Sequence, residues 1–231
     1  MDVKLKRSKD RKVANSLTAS GSVRIGNSFG LPAGKAYSCP GATSVCESVC
    51  YAGKLEKLYK GVKEALTYNW DLLREADHAT MVYLLDDMVS DFKAESIKWN
   101  APLKFRIHWD GDFFNDTYAS AWGVVIDRHP DIQFWVYTRV ESAAMILRYL
   151  PNLALYFSGD SENTEIAKRL SNLGVKVAML ADTFEDAREA LGARAAMCPE
   201  QRGQIPLNGA CVACAICVKG NANILFSITK R

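Results

Sequence analysis

Apolar and polar positions alternate along the chain with two different periods. Over residues 54–76 the side chains Leu55, Leu58, Tyr59, Val62, Leu66, Trp70 and Leu73 recur at helical spacing, and residues 79–92 continue as a second helix running to about Trp99. The period then changes. Residues 103–109, directly after Pro102, read as a strand, and residues 115–128 as a helix opened by an Asn or Asp cap. Strands over 133–138, 153–158 and 175–181 follow, each trailed by a helical stretch over 141–149, 161–172 (closed by Gly174) and 183–190. Residues 224–229 (ILFSIT) form a last strand-like run. Strand and helix recurring every ~20–30 residues predict βαβ units and a parallel sheet with right-handed crossovers. The units are too few for a closed eight-fold barrel. The expected fold is therefore α/β, a partial (open) parallel β/α barrel, with a doubly wound sheet as runner-up. The turn after the first long strand is Asp110-Gly111-Asp112 and not G-x-G-x-x-G, so a dinucleotide fold has no positive support.

Outside this alternation lie two stretches of another character. Residues 1–20 are polar and basic and read as a loose arm. Residues 21–53, rich in Gly, Ser and Pro, read as a long ordered loop or a strand followed by a loop. This gives an arm (1–20), a body (21–197) and a C-terminal cysteine-rich segment with the last strand (198–231). A chain of 231 residues with 48% hydrophobic and 24% charged side chains suits one globular domain and excludes a disordered, collagen-like or rod-like protein. The net charge of +3 is near balance. Residues 1–14 hold Lys4, Lys6, Arg7, Lys9, Arg11 and Lys12 against Asp2 and Asp10, so the remainder is slightly acidic and a nucleic-acid partner is argued from the arm alone. No stretch approaches the ~20 apolar residues of a membrane span, and the start lacks the apolar core of a secretory signal. The expected compartment is the cytoplasm, where disulfides are disfavoured and seven cysteines need another use.

The cysteines fall into two sets. Cys39, Cys46 and Cys50 are spaced C-x6-C-x3-C; Cys198, Cys211, Cys214 and Cys217 are spaced C-x12-C-x2-C-x2-C. Thiolates select zinc, copper(I) or iron–sulfur clusters. Structural zinc usually shows two separated C-x2-C pairs, whereas 211-214-217 does not split into pairs and resembles the C-x2-C-x2-C start of a ferredoxin run, with Cys198-Pro199 as the Cys-Pro element. Zinc and buried inert thiols remain alternatives. In the first set, Cys46 and Cys50 are one helical turn apart and share a face. Three thiolates on a four-iron cluster leave one iron with an open position. Alternatively Cys39 is unrelated, another residue completes the site, or all seven thiolates serve one site.

Cys39-Pro40, Cys46 and Cys50-Tyr51-Ala52 ahead of a βα series resemble the radical S-adenosylmethionine (SAM) superfamily, and more closely a phage-encoded group of radical-SAM-like proteins of unassigned function. The segments Phe105–Phe114 and Phe134–Arg139 and the terminal cysteines add to the likeness. The spacing differs from the superfamily's C-x3-C-x2-C, and Tyr51 follows the last cysteine instead of an aromatic preceding it. The resemblance implies a four-iron cluster on Cys39, Cys46 and Cys50, with SAM chelated at the open iron and cleaved by one electron to a 5′-deoxyadenosyl radical. It puts Asp110-Gly111-Asp112 at the SAM amino group and an auxiliary cluster on Cys198, Cys211, Cys214 and Cys217. It also implies an electron donor, an unknown small or macromolecular substrate, and the cytoplasm of a host cell.

His108, Asp110 and Asp112 lie at the C-terminal end of a strand, where functional groups collect in β/α folds, and are candidates for acid–base chemistry or metal binding. The competing reading packs His108 in the core and uses the aspartates as caps. Arg139, ending the next strand, is a candidate anion holder against a salt bridge to a neighbouring strand end. Three functions stay open: a radical or redox enzyme, a non-catalytic iron–sulfur or zinc-stabilised binding module, and an electron carrier.

Overall fold

The computed structural model describes residues 3–13 and 16–229. Seven strands form one all-parallel sheet: β1 (Ser28–Gly30), β2 (Lys104–Asp110), β3 (Gln133–Thr138), β4 (Leu153–Gly159), β5 (Lys176–Ala181), β6 (Ala195–Met197) and β7 (Asn223–Ser227). Their order is β1-β2-β3-β4-β5-β7-β6, so the sheet runs in sequence order until β7 inserts between β5 and β6. The sheet is open, with β1 and β6 at its edges. The parallel βα expectation holds from β2 to β5. The short β6 escaped the sequence reading because three half-buried residues carry no period.

Among the described residues there are ten α-helices, α1 (Ser44–Val49), α2 (Tyr51–Leu58), α3 (Lys60–Leu73), α4 (His78–Lys98), α5 (Asp116–Arg128), α6 (Glu141–Leu147), α7 (Thr164–Asn172), α8 (Phe184–Leu191), α9 (Ala210–Cys214) and α10 (Ile216–Lys219), and a short 3-10 turn over Arg11–Val13. The single helix expected over 54–76 is interrupted at Tyr59, whose extended backbone (φ −123°, ψ 102°) ends α2 and starts α3. Apolar spacing passes through such a one-residue break unchanged, so it leaves no trace in the pattern.

Period-2 alternation divides the sheet into two faces. Phe105, Ile107, Phe134, Val136, Leu155, Phe157, Val177, Met179 and Leu225 point to one side and form the main core with α3 to α8. Trp135, Tyr156, Ala178 and Ile224 point to the other, where no long helix lies. There they meet Val13, Val218, Ile216 and the side chains of Cys198, Cys211 and Cys217. A parallel sheet needs both faces covered. Here the second cover is the C-terminal cysteine segment together with the start of the chain.

This corrects the expectation of a loose arm. Ser8 bridges antiparallel to Ser28 beside β1, the peptide N–H of each donating to the other's carbonyl at 2.7 and 3.1 Å. Leu5 and Val13 are buried. Lys4 pairs with Asp91 at 2.8 Å and Arg7 with Glu95 at 2.9 Å on α4, and Lys12 pairs with Glu200 at 2.8 Å. Three of the arm's cations, Lys4, Arg7 and Lys12, are thus matched to acidic residues far along the chain, and no local pattern could display that complementarity.

Candidate functional site

The N-terminal cysteine loop lies against the C-terminal ends of β2, β3 and β4. Thr43 caps α1: its Oγ1 accepts from the Cys46 peptide N–H at 3.0 Å and donates to Asp160 Oδ2 at 2.5 Å. Asp160, fully buried at the end of β4, also takes the Arg139 guanidinium. Asp112 accepts from Thr138 Oγ1 at 2.6 Å and from the peptide N–H groups of Arg139 (2.7 Å) and Phe113 (2.8 Å). Ser38 Oγ accepts from the Asp112 peptide N–H at 3.2 Å and donates to the Pro32 carbonyl at 2.7 Å. Two glycines permit the approach. A Cβ on Gly41 would stand 2.5 Å from the Arg139 carbonyl oxygen, and one on Gly111 (φ +81°) 2.5 Å from Ser38 Oγ.

Within this loop the three cysteines are not equivalent. Cys46 and Cys50 are neighbours: burial pushes the Cys46 thiol up, Arg139 opposes the rise and Cys50 adds to it. Cys50 Sγ accepts from the Gly53 peptide N–H at 3.3 Å and caps α2. Cys39 has Asp112 as its nearest charged influence. Burial pushes its thiol up to about 12, and Asp112 adds to the rise. Among the described residues no three His, Cys, Asp or Glu side chains are spaced to hold a single metal ion.

Asp110 and Asp112 have different surroundings. Burial pushes Asp112 up to about 6 despite its three donors. Asp110 Oδ1 accepts from the Gly111 peptide N–H at 2.9 Å, while its buried Oδ2 has no donor. Burial and the adjacent Glu56 carboxyl push Asp110 up to about 8. Glu56, on α2, also accepts from the Ala33 peptide N–H at 2.8 Å. Sequence reading missed it, because the pairing is made only across α2 and β2.

The structure parts His108 from this pair. Its φ of +56° interrupts β2, and the β1–β2 register slips there. Such a bulge re-aims a side chain. His108 lies under α5, its Nε2 2.9 Å from the Tyr118 hydroxyl and its ring edge-on to Phe113 at 4.7 Å. Burial, reinforced by Arg106, lowers its pKa to about 3. Its surroundings match the packed-core alternative. Arg139 likewise forms a salt bridge, to Asp160.

The C-terminal set is built differently. Cys198 follows β6, Cys211 and Cys214 lie in α9, and Cys217 in α10. Left-handed residues at Gly209 (φ +70°), Ala215 (φ +56°) and Gly220 (φ +65°) fold these two short helices into a knuckle. A Cβ on Gly220 would meet Ala154 at 2.8 Å, so the knuckle lies close on β4. All four cysteines line one cavity of about 20 Å³, closed by Ile205, Ala210, Ile216 and Ile224. Burial pushes Cys211 up to about 12 and Cys217 up to about 11. The Tyr137 hydroxyl donates to Cys217 and opposes its rise. Thiolates are the donors that soft metals and iron–sulfur clusters select, and Cys198, Cys211, Cys214 and Cys217 are the residues here that would hold such a group.

A buried cation joins the two sets. Arg106 Nη1 pairs with Asp10 at 2.7 Å, its Nη2 donates to the Tyr51 hydroxyl at 3.2 Å, and its guanidinium stands 5.9 Å from the Tyr137 ring. Tyr51 follows Cys50 and donates to the Trp109 carbonyl at 3.0 Å. The charge of Arg106 also favours the ionised forms of Cys211 and Cys217.

Fold and site together define an open, all-parallel α/β protein. One cysteine set lies at the strand C-termini and the other on the sheet face covered by the short α9 and α10. The family model described as "Gene product 88" matches residues 3–220, and the chain belongs to that family. It is 48% identical over 238 aligned positions to the "Gene 88 protein" of Mycobacterium phage L5, covering 99% of each chain. It is 47% identical to that of Mycobacterium phage D29, covering 98% of this chain and 99% of the relative. No solved structure matches. No helix among the described residues is long and apolar enough to cross a membrane.

Proposed function

We propose that the protein is an iron–sulfur protein of redox or radical chemistry. Cys198, Cys211, Cys214 and Cys217 hold one four-iron cluster, and Cys39, Cys46 and Cys50 serve a second at the C-terminal ends of the strands. The observation that carries the reading is the convergence of four cysteines, from three separate backbone elements, on one apolar cavity. A bound cluster supplies single-electron transfer. The chain's own residues keep water out through Ile205, Ile216 and Ile224, donate a hydrogen bond to Cys217 from Tyr137, and place Arg106 as a counter-charge.

At the strand C-termini the geometry supplies the pair Cys46 and Cys50; Cys39 as third ligand and SAM as ligand come from the resemblance to radical SAM proteins. Asp112 is satisfied by three donors. Asp110 retains an acceptor without a donor, so with Glu56 it is the group available to a cationic or proton-donating ligand.

The test is iron, sulfide and zinc quantitation on anaerobically purified protein. The reading expects a brown protein with broad absorbance near ~400 nm, and about half the iron lost in Cys211→Ser or Cys214→Ser. Colourless protein carrying stoichiometric zinc overturns it. Release of 5′-deoxyadenosine on reduction with SAM supports the radical branch; iron without that release leaves electron transfer.

A further inference from the structure

Three of the arm's cations, Lys4, Arg7 and Lys12, are paired with carboxylates, whereas a second basic stretch is almost free of such partners. Lys54 and Lys57 on α2, and Lys60 and Lys63 on α3, recur at i, i+3 on both sides of the break at Tyr59, and all four are exposed. Residues three apart on a helix share a face. The one acidic residue among positions 54–63, Glu56, is turned inward to the Ala33 peptide and Asp110. Among the described residues, Lys54, Lys57 and Lys63 form no ion pair, and Lys60 makes only a loose, solvated one to Glu64 at 3.7 Å. Between the two lysine pairs, Leu58 is 72% and Tyr59 57% exposed, on the one residue where the helix is broken. The strip begins at Tyr51, directly after Cys50, and so runs outward from the cysteine loop.

We infer that this strip binds single-stranded nucleic acid, with the lysines on successive phosphates and Tyr59 as a stacking platform. Composition decides against an acidic protein partner. Protein interfaces are depleted in lysine and enriched in arginine, while a row of lysine point charges interleaved with an exposed aromatic is how non-specific single-strand sites are built. The extended backbone of Tyr59 ends α2 and starts α3, which leaves this exposed ring between the two lysine pairs. The inference stands apart from the iron–sulfur reading, since no metal enters it.

The test is fluorescence anisotropy with 20-nucleotide oligo-dT and oligo-U, a duplex of equal length and poly-glutamate as competitor, on the full chain. Four phosphate contacts give a slope of about −3 in log affinity against log salt. Binding is expected to vanish in K54E/K57E/K60E/K63E and to fall about tenfold in Tyr59→Ala, the worth of one stacked base. The exposed control K168E leaves it unchanged. A preference between dT and U identifies the nucleic acid as DNA or RNA. Absence of binding at low salt, unaltered binding by the quadruple variant, tighter binding of duplex, or equal displacement by poly-glutamate overturns the inference. Circular dichroism on each variant confirms the fold, and because all five side chains are exposed, folding is unaffected.

Discussion

The two cysteine regions use one residue type in opposite settings. The N-terminal loop is polar and tied by hydrogen bonds: Ser38, Thr43, Asp112, Thr138, Arg139 and Asp160 fasten it to three strand ends. The C-terminal knuckle is apolar and lies on a sheet face, its thiols converging on one cavity among isoleucines. The difference teaches where rigidity comes from in each. The loop depends on a charge and hydrogen-bond network that fails when one member is removed. The knuckle depends on packing against Trp135, Tyr156 and Ala154, and on thiols that a metal group would tie further.

Arg106 belongs to both regions, so its removal should have the largest effect. Arg106→Met leaves Asp10 unpaired in a half-buried setting and frees Tyr51, with about 3–5 kcal/mol of stability lost in urea unfolding. Loss below about 1 kcal/mol would mean that the two regions are held independently. Gly41→Ala should come next. Its Cβ meets the Arg139 carbonyl oxygen at 2.5 Å, which forces the loop off β3. A loss of about 2 kcal/mol with the C-terminal cysteines' alkylation rate unchanged would sharpen the contrast; a shared change would erase it.

A pH experiment probes the core beneath the loop. His108 is neutral when folded, with a pKa lowered to about 3 from the ordinary 6.5. The unfolded chain therefore binds more protons between those values, and stability falls as pH drops through that window, by up to about 1.4 kcal/mol per unit. His108→Asn, which tolerates the positive φ, should flatten that slope in urea midpoints measured from pH 7 to 4. An unchanged slope would locate the acid sensitivity elsewhere. The smallest effect is expected from Lys4→Ala. Its ion pairs with Asp87 and Asp91 are solvent-exposed, and such pairs contribute under about 1 kcal/mol.

Much of the frame was legible before the structure. The strands β2 to β5 and the helices α4 to α8 follow from apolar period and caps, because each buries one regular face. Asn115 and Thr183 cap α5 and α8 as their residue types suggest. The bulge at His108 was not legible, since alternation assigns that position to the opposite side. Nor was the role of Glu56, Arg106 or the arm, whose partners lie 54, 96 and about 90 positions away: Glu56 faces Asp110, Arg106 pairs with Asp10, and Lys4 with Asp91.

The amino-acid order alone determined the parallel βα alternation and the division of the cysteines into a trio and a quartet, since both are local in the chain. Only the folded chain decided which sheet face the quartet covers, that its four side chains share a cavity, and that Lys4, Arg7 and Lys12 of the arm meet carboxylates within the molecule. Those outcomes depend on contacts between segments distant in sequence, and short-range hydrophobic periodicity does not encode them.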